Sequence, residues 1–141
     1  MLDEKNVPPV ELDERVARYL VNRRNIRSDQ TIKSDEFVPY KHVDLSVNRL
    51  RSCADEEIWI FGRQVAEQRG KVLLGRTDLS VEDCHIESLS VIAKPIPKNP
   101  NHADIAGYPS IKADQKALAL KLAANASKLI PTPDSDNVTG T

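Results

Sequence analysis

The chain has 141 residues, with 20 lysines plus arginines against 21 aspartates plus glutamates, 40% hydrophobic residues and 29% charged ones. That length fits one domain that can bury a core without metal or disulfide staples, and the composition is that of a soluble globular protein. A net charge of −1 supplies no global field for a polyanion, which disfavours a nucleic-acid-binding protein.

Residues 1 to 9 are polar, close on Pro8-Pro9 and read as a flexible start to a domain covering 10 to 130. Leu12, Val16, Tyr19 and Leu20 fall at helical spacing, with acids early and arginines late, so Val10 to Arg24 is expected to be a helix. Residues 25 to 41 lack periodicity and read as a loop. Val43, Leu45 and Val47 alternate with polar residues, which predicts a half-buried strand whose inward phase continues to Arg49. Ser52 to Asp55 matches a capping box and opens a helix from about Ala54 to Arg69, in which Gly62 permits close packing. Gly70 is the expected left-handed cap.

Val72-Leu73-Leu74 reads as a short buried strand, Ser80 as the cap of a helix from Val81 to about Glu87, and Leu89 to Ala93 as a third strand. A further short strand fits Ala103 to Ile105. Alanines and leucines predict a last helix from Lys112 to about Leu129, and residues 131 to 141 read as a disordered tail. The expected fold is therefore α+β or small α/β: a single domain with a three- or four-stranded, largely parallel sheet packed by three main helices.

The chemistry-bearing residues concentrate in Pro97-Lys98-Asn99-Pro100-Asn101-His102-Ala103-Asp104-Ile105. Extended backbone there puts His102 and Asp104 on one face. A carboxylate beside an imidazole raises its basicity and fixes its tautomer, as a general base requires. Asn99 and Asn101 could hold an oxyanion or a phosphate oxygen. Against this stands turn chemistry, which alone accounts for Asn-Pro and Asn-His. Arg49 and Arg76 follow strands. If the strands are parallel, both arginines meet Ser46 and the 97–105 block at one crevice, suited to an anionic ligand. Alternatively each pairs with a carboxylate such as Asp78 or Asp104.

His42, His85 and His102 match no zinc spacing, so no metal is expected. Gly70 and Gly75 form no phosphate loop, and no cofactor is implied. Cys53 and Cys84 read as free thiols in a reducing cytosol, more in keeping with small core residues than with nucleophiles. Arg18, Arg23, Arg24, Arg27 and Lys33 form a local basic patch for which a solvated face is the favoured reading. No apolar leader or membrane-length run is present, so a cytoplasmic location without a membrane is expected.

Leu45-Ser46-Val47-Asn48-Arg49, Val72-Leu73-Leu74-Gly75-Arg76 and Asn99 to Gly107 with the helix after it resemble an uncharacterised family of small bacterial cytosolic proteins. The resemblance implies a small stand-alone bacterial protein and carries over no catalytic residue. A likeness of Pro95 to His102 to the His-Pro-Asn turn of ubiquitin-conjugating enzymes fails, because no cysteine follows. Two functions remain open. The leading one is a non-catalytic accessory or protein-interaction component of a bacterial multi-component system, with a protein partner anchored by Trp59 or Ile60. The other is a small enzyme or binding domain for an anionic, for example phosphorylated, ligand. His102 would be its general base and Asp104 the orienter, with Ser46, Arg49, Arg76 and Asn99 lining the site.

Overall fold

The segment around Val16 is a strand, not a helix. The computed structural model describes residues 1–39 and 43–133, and within it β1 spans Arg15–Leu20. Val16 and Leu20 are four apart, a spacing that puts them on one side of a helix and equally on one side of a strand. The odd positions decide between the two. Ala17 and Tyr19 are as buried as Val16 and Leu20, the mark of a central strand covered on both faces. Leu12, expected in the helical stripe, is 54% exposed.

The remaining elements are β2 (Leu45–Arg49), α1 (Asp55–Gln68), β3 (Gly75–Ser80), α2 (Val81–Ile86), β4 (Ser90–Ala93), β5 (His102–Ala106), α3 (Lys112–Asn125) and β6 (Ile130–Pro131). Short 3-10 turns lie at Arg23–Asn25 and Ser34–Phe37. The strands form one six-stranded sheet in the order β4-β5-β2-β1-β3-β6, and every neighbouring pair is antiparallel. This corrects the expected three- or four-stranded parallel sheet. The expected strand at Val72-Leu73-Leu74 is displaced to Gly75–Ser80: Leu73 packs towards α1, Val72 is exposed, and the Leu74 N–H donates to Leu20 O at 2.8 Å as pairing begins. A polar strand holds this inner position because its groups are matched. Thr77 Oγ1 donates to Ser127 O (2.7 Å), and Asp78 N donates to Ser127 Oγ (2.9 Å).

Alternation sorts the sheet into two faces. Val16, Leu20, Leu45, Val47, Leu79, Ala103 and Ile105 belong to the main core, with Phe37, Cys84, Ala119 and Leu122 from the covering turn and helices. The opposite face carries Tyr19, which packs with Ile58 and Phe61 of α1. Gly62 allows that approach, since a Cβ there would lie 2.7 Å from the Tyr19 ring. Glu57 Oε1 accepts from Ala54 N at 2.9 Å, so the helix cap forms at Ala54, two residues past the expected Ser52. Gly70 has φ 62° and Ser80 Oγ accepts from Asp83 N, both as the sequence predicts.

At the chain start Leu2 is buried and its N–H donates to Asn101 Oδ1 (2.8 Å). At the other end, residues 134–141 of the expected tail lie outside the described residues. Among the described residues no helix is long and apolar enough to cross a membrane.

Candidate functional site

Arg49 follows the inward phase of β2 and is completely buried. Its Nη2 lies 2.7 Å from Glu14 Oε2 and its Nε donates to Glu14 Oε1 at 2.9 Å, both side chains fully excluded from solvent. Nη1 and Nη2 also donate to the Pro8 and Pro9 carbonyls. Burial by itself would raise Glu14, but hydrogen bonds from Arg49 and the Glu11 N–H, with the charges of Arg49 and Arg51, hold it below the usual carboxylate range. The pair clamps the segment before β1 onto β2. Four of the five N–H donors of Arg49 are committed in this way, and the side chain is fully excluded from solvent, so it presents no face to a ligand.

Arg76 is also engaged. Its Nε and Nη2 reach Asp78 at 3.0 and 3.4 Å, and its guanidinium lies 5.0 Å from the centroid of the Trp59 ring. Pairing with Asp78 is one of the alternatives the sequence leaves open. Both β2 and β3 run antiparallel to β1, so Arg49 ends one strand while Arg76 begins the other. They register with Val16 and Tyr19, at opposite ends of β1. Three strand spacings separate Arg76 from β5, roughly 14 Å at ~4.8 Å each. The expected crevice uniting both arginines with the 97–105 block is therefore not assembled.

That block serves first as a clip. Ile96 and Asn99 exchange backbone hydrogen bonds (3.1 and 3.0 Å) around Pro97 and Lys98, with Lys98 at φ 68°. Asn99 Nδ2 donates to Asn48 Oδ1 (2.8 Å), and Asn101 Nδ2 donates to the Arg49 and Arg51 carbonyls. His102 and Asp104 share one face, as alternation predicts, opposite Asn48 and Ser46 respectively. His102 does not bond to Asp104 among the described residues. Its Nδ1 lies 2.9 Å from Lys94 O. A carbonyl only accepts, so Nδ1 carries the proton and Nε2 of the neutral ring is left as an acceptor.

Ser46, Asn99 and His102 come together in a cleft of about 110 Å³ between α1 and strands β2 and β5, with Gln64, Gln68 and Arg69 on the helix side. Three of the six expected site residues thus line one hollow, without the arginines assigned to it.

A larger hollow was hidden from the sequence. A groove of about 760 Å³ is walled, among the described residues, by Arg18, Arg24, Lys33, Arg69, Lys71, Lys112 and Lys116, against two carboxylates, Asp35 and Glu36. Arg24, Lys33, Arg69, Lys71 and Lys116 are exposed and make no ion pair among the described residues. Three members of the basic patch near the first segment thus reach the groove, joined by the end of α1 and the first turn of α3. At its back, Arg18 Nε lies 4.0 Å from Glu36 Oε1 and is buried without a hydrogen-bond partner. Burial pushes Glu36 up from the usual carboxylate range despite Arg18 and the Asn25 amide that donates to it, and burial pushes Arg18 down. The missed signal was Arg18 itself, a cation mid-strand once Val16 to Leu20 is read as a strand.

Neither thiol is poised as a nucleophile. Burial is the main cause that raises Cys53 to about 11 and Cys84 to about 12. Trp59 is buried, whereas Ile60 is 49% exposed. His42 lies outside the described residues, and among those described no group of three or more His, Cys, Asp or Glu side chains could hold a metal. No known protein family, curated protein or solved structure matches the chain.

Proposed function

We propose that this chain is a non-catalytic binding module whose basic groove takes an anionic ligand. The observation that carries the reading is the groove wall, in which the described residues set seven cations against two carboxylates, in a chain whose overall charge is −1. Concentrating cations in this way has a cost in mutual repulsion, and a bound anion relieves it. The volume is in the range of small-ligand sites. Among the described residues no aromatic side chain lines it, so they supply no stacking platform of the kind a single-strand nucleic-acid binder uses.

Calorimetric titration of the full chain with inorganic tripolyphosphate tests the reading. Binding is expected at about 50 mM salt and is expected to weaken steeply at about 500 mM, where the screening length falls below ~5 Å. Lys71→Glu with Lys116→Glu, both on exposed positions, is expected to weaken binding at least 10-fold while the circular dichroism spectrum is unchanged. Salt-insensitive binding, or full affinity in the double variant, contradicts the groove as the site.

A further inference from the structure

The groove and the cleft are neighbours, because Arg18 and Arg69 belong to the walls of both. Registered pairing of β1 with β2 ends at Ala17 and Asn48. Just beyond it Arg18 Nη1 donates to Ser46 O at 2.9 Å. The two hollows therefore meet where the strands part.

Their chemistry differs. The groove is cationic, while the cleft offers uncharged hydrogen-bonding groups from Ser46, Gln64, Gln68 and His102. The Ser46 hydroxyl and both glutamine amides make no hydrogen bond among the described residues, and His102 retains its Nε2 acceptor. Hydroxyls and amides both donate and accept, so they suit a partner that does the same without charge. At about 110 Å³ the cleft is of the order of the ~150 Å³ cavity that holds benzene, room for one small ring.

We propose that the two hollows form one bipartite site for a phosphorylated small molecule bearing an uncharged polar ring. Its phosphates lie among the groove cations and its ring, a sugar or a pyrimidine base, lies in the cleft, with Arg18 and Arg69 at the junction. This rests on the anion-binding reading of the groove and adds the half that distinguishes one anion from another.

The test compares inorganic tripolyphosphate, cytidine triphosphate and fructose 1,6-bisphosphate by calorimetry, on the full chain and on its Gln64→Leu/Gln68→Leu variant. The variant is expected to bind at least one of the two organic phosphates about 10-fold more weakly and tripolyphosphate within two-fold of the unaltered chain. Which one responds tells a base from a sugar. A second readout needs no variant: the His102 ring resonances are expected to move with that organic phosphate and to stay put with tripolyphosphate. If tripolyphosphate binds but the variant affects no organic phosphate selectively and His102 does not respond, the bipartite site is overturned and the groove reading stands. If none of the three binds, both fall.

Discussion

Arg49→Met separates a structural arginine from a ligand-binding one. In the folded chain Arg49 makes four hydrogen bonds, two to Glu14 and two to the Pro8 and Pro9 carbonyls. Methionine fills similar space but leaves Glu14 a buried carboxylate, helped only by the Glu11 N–H and by Arg51 Nη1 at 3.8 Å. Breaking a fully buried pair from one side costs about 3–5 kcal/mol, roughly 9–15 °C in melting temperature at ~3 °C per kcal/mol for a chain of this size. Urea unfolding followed by circular dichroism measures it directly. The pH dependence has a definite sign. Glu14 is held below the usual carboxylate range when folded, so its contribution is present above about pH 4.3 and fades as pH falls through the lower folded value. The gap between variant and unaltered chain should therefore shrink in acid. Adding Glu14→Leu should recover most of the loss, since an apolar pair of similar volume replaces a buried ion pair with little penalty. A single variant within about 1 kcal/mol of the unaltered chain refutes the clamp. A folded variant that loses tripolyphosphate affinity refutes the assignment of Arg49 to structure alone.

Gly75→Ala should destabilise the fold by about 1–3 kcal/mol in the same assay, because a Cβ there collides with the Ile130 carbonyl across the β3–β6 pair. Cys53 and Cys84, with thiols raised to about 11 and 12, should react with a disulfide reagent at pH 8 at least 10-fold more slowly than free cysteine. Rapid labelling of the folded chain would reveal an accessible thiolate instead.

The sequence disclosed elements wherever one periodicity acts alone. Helix α1, with Gly62 at its contact and Gly70 at its end, helix α2 with its Ser80 cap, and the inward phase of β2 at Leu45, Val47 and Arg49 could be read directly, whereas Val43, expected in that strand, is exposed and Asn48, expected on its polar side, is buried. Val16 to Leu20 misled because a step of four satisfies both helix and strand, and because a strand buried on both faces has no polar side to reveal its period of two. β3 misled for the opposite reason: its polar side chains are satisfied by Ser127 and by one another, pairings that only the folded chain creates. The parallel assumption followed from those two errors, and the crevice around Arg49 and Arg76 followed from it. The groove cations come from β1, the turns after it, the end of α1 and the start of α3, so no local motif announces them. A basic patch was visible in Arg18, Arg24 and Lys33, but its distant half was not.

Glu36 gives the groove a dependence on pH that can be tested apart from the ligand's own titration. It faces Arg18 of β1 and accepts from Asn25, and the charges of Arg18 and Arg69 both oppose its upward shift. When ionised it holds Arg18 back from any anion in the groove. One negative charge about 8 Å from a bound phosphate is worth roughly 0.5–2 kcal/mol between aqueous and surface-like dielectrics, so Glu36→Gln should tighten tripolyphosphate binding about five-fold at pH 7.5. Lowering the pH protonates Glu36 in the unaltered chain earlier than an ordinary carboxylate, so the advantage of the variant should shrink as the pH falls, starting above the usual carboxylate range. Changes in the phosphate's own charge act equally on both proteins and cancel in the ratio of their affinities. Equal affinities at pH 7.5, or an advantage that does not shrink as the pH is lowered, would mean that Arg18 and Glu36 only fill the back of the groove and take no part in holding its anion.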